Sequence, residues 1–336
     1  MKIFKILTII TLLFLSVKAE AQITKQAQVG FRFLTNPVSA EVMGRGGVGI
    51  ISTQNSNAIF WNPAQLGLIT NTVDVNLNYT KGIAEINYNA AAAALRLGDF
   101  GVIAFDVLAM DYGTFYQTLR ADNDKGYEET GTFSPTGMMG GVAFSQLVSE
   151  RFSYGVHLKY AYQDLGEAWV STGGDSLGNA DLSKKKYDNG VLAMDVGAFY
   201  DFQYNGIKFA AVLHNISREV SYEAEEFPLP FDVSFGATIE PVNFFTEMNN
   251  DQRFILSFES LHPRDFGEKF KIGGEYIFSD LMFLRAGYMS NFDQRNWTFG
   301  AGLKHQLSNF PIRIDYAFQP YRVFGNVHHL SIGFGY

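Results

Sequence analysis

The sequence contains no cysteine in its 336 residues. Disulfide bonds, thiol catalysis and cysteine-ligated metal sites are therefore excluded. Charged residues are also scarce, at 18% of the chain, against about 25% in an average soluble domain. The formal net charge is −8, and an acidic chain lacks the basic face that nucleic-acid binding requires, so we expect no nucleic-acid partner.

Long apolar runs are missing as well, except near the N-terminus. There Lys2 and Lys5 precede an apolar stretch at residues 6–17 and a small-x-small motif at residues 19–21. This order predicts a secretory signal peptide over residues 1–21. An uncleaved anchor is the alternative, but twelve residues are fewer than the roughly 20 that a spanning helix needs. An exported chain without such a helix is expected to be either soluble or a β-barrel.

The abundant residues favour β structure, since 47% of the chain is hydrophobic, 15% is aromatic and 33 residues are glycine. The segment 152–163 alternates strictly between apolar and polar residues, which predicts a strand. Aromatic residues bracket aliphatic ones on its apolar face, as in strands that cross a bilayer. A strand of a soluble sandwich also alternates, but it rarely runs this long. The apolar face comprises Phe152, Tyr154, Val156, Leu158, Tyr160 and Tyr162, and the other comprises Ser153, Gly155, His157, Lys159, Ala161 and Gln163.

The same alternation recurs and predicts about fourteen strands between residues 72 and 336. Short and long connections alternate along the chain. This alternation is typical of a transmembrane antiparallel up-and-down β-barrel with short periplasmic turns and long outside loops. Residues 113–136 and 165–189 are two of the predicted loops, and the second carries Lys184, Lys185 and Lys186 in an expected solvated tip. The predicted strands are 72–80, 84–97, 101–112, 137–148, 152–164, 190–203, 207–217, 231–240, 252–261, 269–278, 281–290, 296–307, 311–319 and 327–336.

Residues 22–71 do not alternate and are predicted to form a hatch, or plug, inserted into the barrel. The segment contains a glycine cluster at residues 44–49 and the turn-forming pair Asn62-Pro63. Because Trp61 is its largest side chain, we expect this residue to be buried inside the barrel, with Asn62 bonding to backbone groups there. A loose periplasmic linker is the alternative, but the segment is too apolar to remain in water.

The segment contains Pro37-Val38-Ser39-Ala40, Met43-Gly44-Arg45-Gly46-Gly47-Val48-Gly49 and Asn57-Ala58-Ile59-Phe60-Trp61-Asn62-Pro63-Ala64-Gln65-Leu66. These stretches resemble the N-terminal signature of the PorV/PorQ family, which are Bacteroidetes outer-membrane barrels related in fold to FadL-type fatty-acid transporters. The resemblance lies within residues 33–68. It implies a barrel with an N-terminal hatch in the outer membrane of a Gram-negative cell. It further implies a role in type IX protein secretion, with the secretion translocon and secreted cargo proteins as partners. The hatch motif comprises Met43, Gly44, Gly46, Gly47, Trp61, Asn62, Pro63 and Ala64.

The last residues place Leu330, Ile332, Phe334 and Tyr336 on one face of the final predicted strand. An amphipathic last strand that ends in an aromatic residue resembles the signal read by the barrel insertion machinery, carried here by Phe334 and Tyr336. An ordinary terminal strand is the alternative. The expected partners are therefore this machinery and outer-membrane lipids.

Motifs for catalysis or cofactor binding are absent from the sequence. The glycine cluster lacks the Lys-Ser/Thr end of a phosphate loop, and no Gly-x-Ser-x-Gly elbow occurs. The segment 175–181 lacks the spacing of a calcium loop. His328 and His329 are adjacent, so on a strand they should point to opposite faces. We predict no enzyme activity, no cofactor, and no catalytic or metal-ligating residue.

Two functions remain open at this stage. The first is a component of type IX secretion, as the resemblance implies. The second is a FadL-like transporter of small hydrophobic molecules, which rests on analogy of fold. A transporter needs an apolar pocket around the hatch. The inward residue sets are mostly polar, which favours the first function.

Overall fold

The computed structural model describes residues 28–84, 86–174, 180–244, 251–293, 295–307 and 310–336. The predicted signal peptide at 1–21 and the predicted turn at 308–309 lie outside the described residues, as does most of the segment 175–181. Within the described ranges, no helix is both long and apolar enough to cross a membrane.

Fourteen antiparallel strands form one closed barrel, so the predicted fold class is confirmed. Each strand pairs with its neighbours in sequence, and the first pairs with the last, from Asp74 opposite Gly335 to Lys81 opposite His328. The strands are β1 (Val73–Lys81), β2 (Asn87–Arg96), β3 (Val102–Asp111), β4 (Thr136–Ser149), β5 (Phe152–Gly174), β6 (Ala180–Asp201), β7 (Lys208–Ser217), β8 (Asp232–Ile239), β9 (Gln252–Pro263), β10 (Lys269–Phe278), β11 (Met282–Ser290), β12 (Trp297–Leu307), β13 (Phe310–Tyr321) and β14 (Gly325–Gly335).

The faces of β5 are those that the alternation predicts. Leu158 and Tyr160 are 49% and 52% exposed on the outer surface of the barrel. His157 and Lys159 point into the lumen, where their exposures are 0% and 6%. Successive side chains of a strand alternate between faces, so these four residues fix the register of the whole strand.

The predicted loop at 165–189 is wrong in part, because β5 and β6 continue well past the end of the apolar pattern. The three lysines at 184–186 lie on β6 rather than in a loop tip. Their Nζ atoms pair with carboxylates of Glu167 at 4.0 Å, Glu223 at 2.6 Å and Asp164 at 3.1 Å. The apolar alternation ends near Asp164, whereas backbone pairing of β5 with β6 and the ion pairs of these lysines continue beyond it.

Two other connections also contain short strands. Residues 113–135 form a ribbon of Phe115–Arg120 and Tyr127–Phe133, and a two-residue pair, Val220–Ser221 with Glu226–Phe227, lies in the connection after β7. We call the end of the barrel that carries these connections the loop end. The opposite end carries the tight connections, such as the one between β4 and β5, and is called the turn end.

Residues 28–72 fill the lumen and are called the plug. They contain one short α-helix, α1 (Ala40–Gly44), and three 3-10 helices, Arg32–Thr35, Ser56–Phe60 and Pro63–Leu68. The plug begins at the loop end, where the backbone N of Gly30 donates to the carbonyl of Pro228 at 3.1 Å. It runs down the lumen to β1 at the turn end.

Candidate functional site

The glycine cluster of the plug meets a glycine patch on the barrel wall. Gly273 and Gly287 are paired across β10 and β11, and a Cβ on Gly287 would overlap the backbone N of Gly46. The backbone of Gly46 has φ +73°, a left-handed conformation that favours glycine. Its N–H donates to Thr298 Oγ1 at 2.8 Å. The glycines on both sides therefore allow the backbone of the plug to contact the backbone of the barrel wall.

The Asn62-Pro63-Ala64 element docks on a second glycine patch. A Cβ on Gly155 would overlap the Pro63 carbonyl, and a Cβ on Gly197 would overlap the Asn62 side chain. Asn62 is fully buried and caps the following 3-10 helix, because its Oδ1 accepts from the Ala64 N–H at 3.0 Å. Its Nδ2 donates to the carbonyl of Ile50 at 2.9 Å.

Two wall serines bond to the carbonyl of Ala64. Ser153 Oγ donates to it at 2.8 Å and Ser145 Oγ lies 3.1 Å away. The N–H of Gly67 in turn donates to Ser145 Oγ at 3.0 Å. These bonds satisfy backbone groups that are buried away from water.

A network of six charges, five of them buried and Arg313 half-buried, joins the plug to the wall near the turn end. Arg45 Nη2 lies 3.2 Å from Glu41 Oε1 within the plug, and Arg45 Nη1 lies 3.2 Å from Glu275 Oε2 on β10. Arg285 Nη1 lies 2.6 Å from Asp315 Oδ1. The network holds three cations and three anions, so it is neutral as a unit. Its members are Glu41, Arg45, Glu275, Arg285, Arg313 and Asp315.

The pKa of Glu41 reflects this network. Burial by itself raises the pKa of this carboxyl, but the charges of Arg313, Arg45 and Arg285 and a hydrogen bond from Asn55 outweigh burial. Together they lower the pKa from its usual 4.5 to about 2. Glu41 is therefore ionised at neutral pH.

A second ion pair holds the plug nearer the loop end. Lys271 Nζ lies 2.6 Å from Glu259 Oε1 and donates to the carbonyl of Gly47 at 3.1 Å. Glu259 Oε2 accepts from the N–H of Gly49 at 3.1 Å. Lys271 and Glu259 therefore pair with each other, and each also bonds to the plug backbone.

His214 ties the wall to the carbonyl of Trp61. Its Nε2 lies 2.6 Å from that oxygen, and its Nδ1 lies 3.0 Å from Asp232 Oδ1. The pairing of β6 with β7 slips beside Asp195, and Asn215 adopts φ 59° there. Such a bulge turns consecutive side chains toward the same side, which lets His214 and Asn215 both face the lumen.

A cavity of about 140 Å³ lies on the loop-end side of plug residues 41–51 and is also lined by plug residues within 32–38. Trp61 lies inside the barrel and is half-buried, because it lines this cavity. Its Nε1 is buried and has no hydrogen-bond partner among the described residues. Charged residues form part of the lining, and its apolar side chains include Leu34, Val38, Met43, Ile50, Phe60, Leu108, Met139, Leu261, Phe266, Met289 and Phe292.

A second cavity of about 440 Å³ lies below the plug at the turn end and has a more polar lining. Ile50 lines the loop-end cavity, whereas the next residue, Ile51, lines the turn-end cavity. Met43 likewise faces the first cavity, and Glu41 and Arg45 face the second. Residues 41–51 therefore separate the two cavities.

The remaining predicted site residues lie on the last strand. Phe334 and Tyr336 are exposed on the outer surface, and the Tyr336 ring stacks on Phe310 at 5.4 Å between centroids. His328 bonds to the Tyr316 hydroxyl, while His329 is buried against Thr80, so the two histidines point to opposite faces as predicted.

The hatch motif did not identify the wall residues that receive the plug. These residues belong to the polar and glycine set of each alternating strand, which is the set that faces the lumen. The alternation therefore identifies their face, although it does not reveal which plug atom each one meets. They include Gly155, Gly197, Glu259, Gly273, Glu275, Arg285 and Gly287.

Comparison with known proteins adds evidence on the fold. No family model matches the sequence, and no curated protein matches it. The Pseudomonas putida toluene transporter TodX matches with a TM-score of 0.57 and 12% identity, over 88% of this chain and 96% of that one. The Ralstonia pickettii toluene transporter TbuX matches with a TM-score of 0.56 and 11% identity, over 87% and 96% of the two chains. At such identities the likeness shows the fold alone.

Proposed function

We propose that this protein is an outer-membrane barrel that admits small hydrophobic molecules, with the loop-end cavity as their first binding site. The observation that carries the proposal is this cavity, which has apolar side chains over part of its wall and plug residues such as Met43 and Ile50 as its floor. The loop end faces outside in this proposal, because barrels of this class turn their long connections outward. Aromatic and aliphatic side chains on the outer surface fit a lipid environment.

The size of the cavity supports a ligand with a single ring. An apolar cavity of about 150 Å³ holds one benzene molecule in another protein, and the loop-end cavity measures about 140 Å³. TodX and TbuX, which share the fold, are toluene transporters. A monoaromatic hydrocarbon is therefore the simplest probe of the proposed function.

The polar lumen does not argue against transport. The sequence indicated that inward polar residues favour a secretion role, but many of these residues hold the plug. Glu259, Thr298 and Ser153 each bond to plug backbone. The apolar lining of the cavity comes largely from the plug itself and from β3 and β4, so the alternation of the wall does not reveal it.

The plug also shapes the route. Since residues 41–51 separate the two cavities, a molecule bound at the loop end reaches the turn-end cavity only after these residues shift. We therefore propose that the plug is the gate of this barrel, and that the loop-end cavity fills before the gate moves.

Filling the cavity tests this function. Met139 is 7% exposed and lines the cavity, whereas its neighbour Met138 is 53% exposed on the outer surface. The M139W variant should slow uptake of radiolabelled toluene by Gram-negative cells to the rate of cells without the protein. The matched M138W variant should keep the parental rate at equal protein levels. Equal uptake by M139W and M138W would contradict a route through this cavity.

Type IX secretion is the second candidate, supported by the PorV/PorQ-like motif. The motif residues contact the wall throughout the plug, as Gly46 and Asn62 illustrate. The test is co-purification of the native protein with a secretion translocon or with cargo from its own host. Capture of neither by a tagged protein would remove this candidate.

A further inference from the structure

A row of alternating cations and aromatic rings stands at the mouth of the loop-end cavity. The Arg32 guanidinium carbon lies 5.1 Å from the centroid of Phe266, and Lys269 Nζ lies 4.5 Å from the same ring. Lys269 Nζ lies 4.7 Å and the Arg295 guanidinium carbon 5.0 Å from the centroid of Phe292. Each cation in the row touches at least one ring face, which attracts positive charge.

Charge pairing leaves two of these cations without a carboxylate. Four carboxylates line the cavity, and each has a cation within 4.0 Å. The pairs are Asp265 with Arg32, Asp195 with Lys159, Glu259 with Lys271, and Asp232 with His214. Within the described ranges, Lys269 and Arg295 have no such partner, and Arg295 donates only to the Tyr321 hydroxyl, at 2.9 Å. The mouth of the cavity therefore has an unsatisfied positive charge.

We infer that the cavity binds single-ring aromatic carboxylates, with the ring against the apolar side chains of the cavity and the carboxylate between Lys269 and Arg295. This inference rests on the proposed function and names the ligand class of the same site. Lys269 and Arg295 are both half-buried, so an anion beside them is shielded from much of the solvent. A charge-assisted bond to either cation is stronger there than at an open surface.

The geometry favours this class over a neutral hydrocarbon. A neutral aromatic ring would leave Lys269 and Arg295 without a carboxylate partner, whereas a ligand carboxylate would pair with both cations. The aromatic residues Phe266 and Phe292 flank the same position and offer ring contacts to the ligand. A ligand with one ring and one carboxylate uses both features at once.

Calorimetry on the purified full-length protein in detergent tests the inference with sodium benzoate and toluene as probes. The K269Q/R295Q variant should weaken benzoate binding at least tenfold and change toluene binding by less than twofold. The control variant K125Q/K304Q also removes two positive charges, but neither residue lines this cavity. It should bind both probes like the parent.

Salt gives a second measurement that needs no variant. Raising the sodium chloride concentration should weaken benzoate binding to the parent protein and leave toluene binding unchanged, because salt screens partly exposed charges. Toluene binding without benzoate binding would overturn this inference and leave the proposed function standing. Benzoate binding that is insensitive to salt and to K269Q/R295Q would also overturn it. Failure of both probes to bind would overturn the proposed function as well.

Discussion

Arg45 of the plug lies with its Nη1 3.2 Å from Oε2 of Glu275 on the barrel wall, and both side chains are buried. Glu41 of the same plug lies 3.1 Å from Nη2 of Arg313 on another strand, β13. The plug therefore contributes one cation and one anion, and each is paired with a residue of opposite charge on the barrel wall. Removal of a single member leaves this network with a net charge.

Replacing Arg45 with glutamine should loosen the plug. The R45Q variant leaves three anions with two cations in a buried network, and loss of one partner of a buried pair costs about 3–5 kcal/mol. Limited proteolysis should then cleave within residues 45–60, while the heat-resistant migration of the folded barrel on a gel persists. The strands pair with one another, so the barrel itself does not depend on this side chain.

The double variant R45Q/E275Q is the control for this prediction. It restores neutrality, so proteolysis of the plug should be slower than in R45Q. Cleavage that is equally fast in the parent, R45Q and R45Q/E275Q would mean that the plug was never packed.

The glycine patch gives a steric prediction. G287V places side-chain atoms where the backbone of Gly46 lies, so the plug should be displaced from that wall. In G274V, on the neighbouring strand, the new Cβ meets side-chain atoms no nearer than 3.7 Å. Proteolysis within residues 45–60 should accelerate in G287V alone. Equal sensitivity of the two variants would contradict the close approach of Gly46 and Gly287.

The lipid face gives a prediction about the barrel. L158R places a cation on the outer surface near the middle of β5 and should cost about 2–4 kcal/mol of folding free energy in lipid. K304Q is the control, because Lys304 is an exposed inward residue that lines the turn-end cavity. Equal folding yields of L158R and K304Q in lipid vesicles would refute the assigned register. K159Q would not serve as a mild control, since Lys159 Nζ pairs with buried Asp195 at 2.7 Å.

Acid should weaken the plug through Glu41. The folded-state pKa of about 2 is below the usual 4.5, so the contribution of Glu41 to stability is fully present above pH 4.5. It is lost as the pH falls from there through about 2. The difference in melting temperature between the parent and E41Q should be constant from pH 7 to 5 and shrink below pH 4.5. A difference that stays the same down to pH 2 would contradict the lowered pKa, since the other carboxyls titrate in both proteins.

The sequence predicts the barrel well because one physical rule governs every strand. Lipid outside and a filled lumen inside require alternation, and the segment from Phe152 to Gln163 shows it at each position. The predicted strand bounds therefore lie close to the observed ones, as for 269–278 and β10 (Lys269–Phe278). Where lipid no longer imposes alternation, as beyond Asp164, the prediction fails and a longer hairpin is found.

The site is less predictable because its contacts join distant parts of the chain. Alternation places Glu275 and Arg285 inside the barrel, but it does not pair Glu275 with Arg45, which lies 230 residues away. The hatch motif similarly includes Asn62, but it does not reveal that the Asn62 side chain fits against the wall only because residue 197 is a glycine. Lys269 and Arg295 stand near the ends of strands and carry no motif. Their proposed role in binding a carboxylate can be inferred only from the structure, which shows that each carboxylate of the cavity lining is already paired with another cation.

Binding of an aromatic molecule beside Trp61 tests the central claim most directly. The chain has three tryptophans, and the variant W169F/W297F leaves Trp61, which lines the loop-end cavity, as the sole indole reporter. Titration of this variant with toluene in detergent should change the Trp61 emission along a saturable curve, and adding M139F, which fills part of the cavity without a second indole, should shift the curve to higher toluene concentrations. A linear, unsaturable change that is equal with and without M139F would show that toluene only partitions into the detergent, and would contradict a binding site in the loop-end cavity.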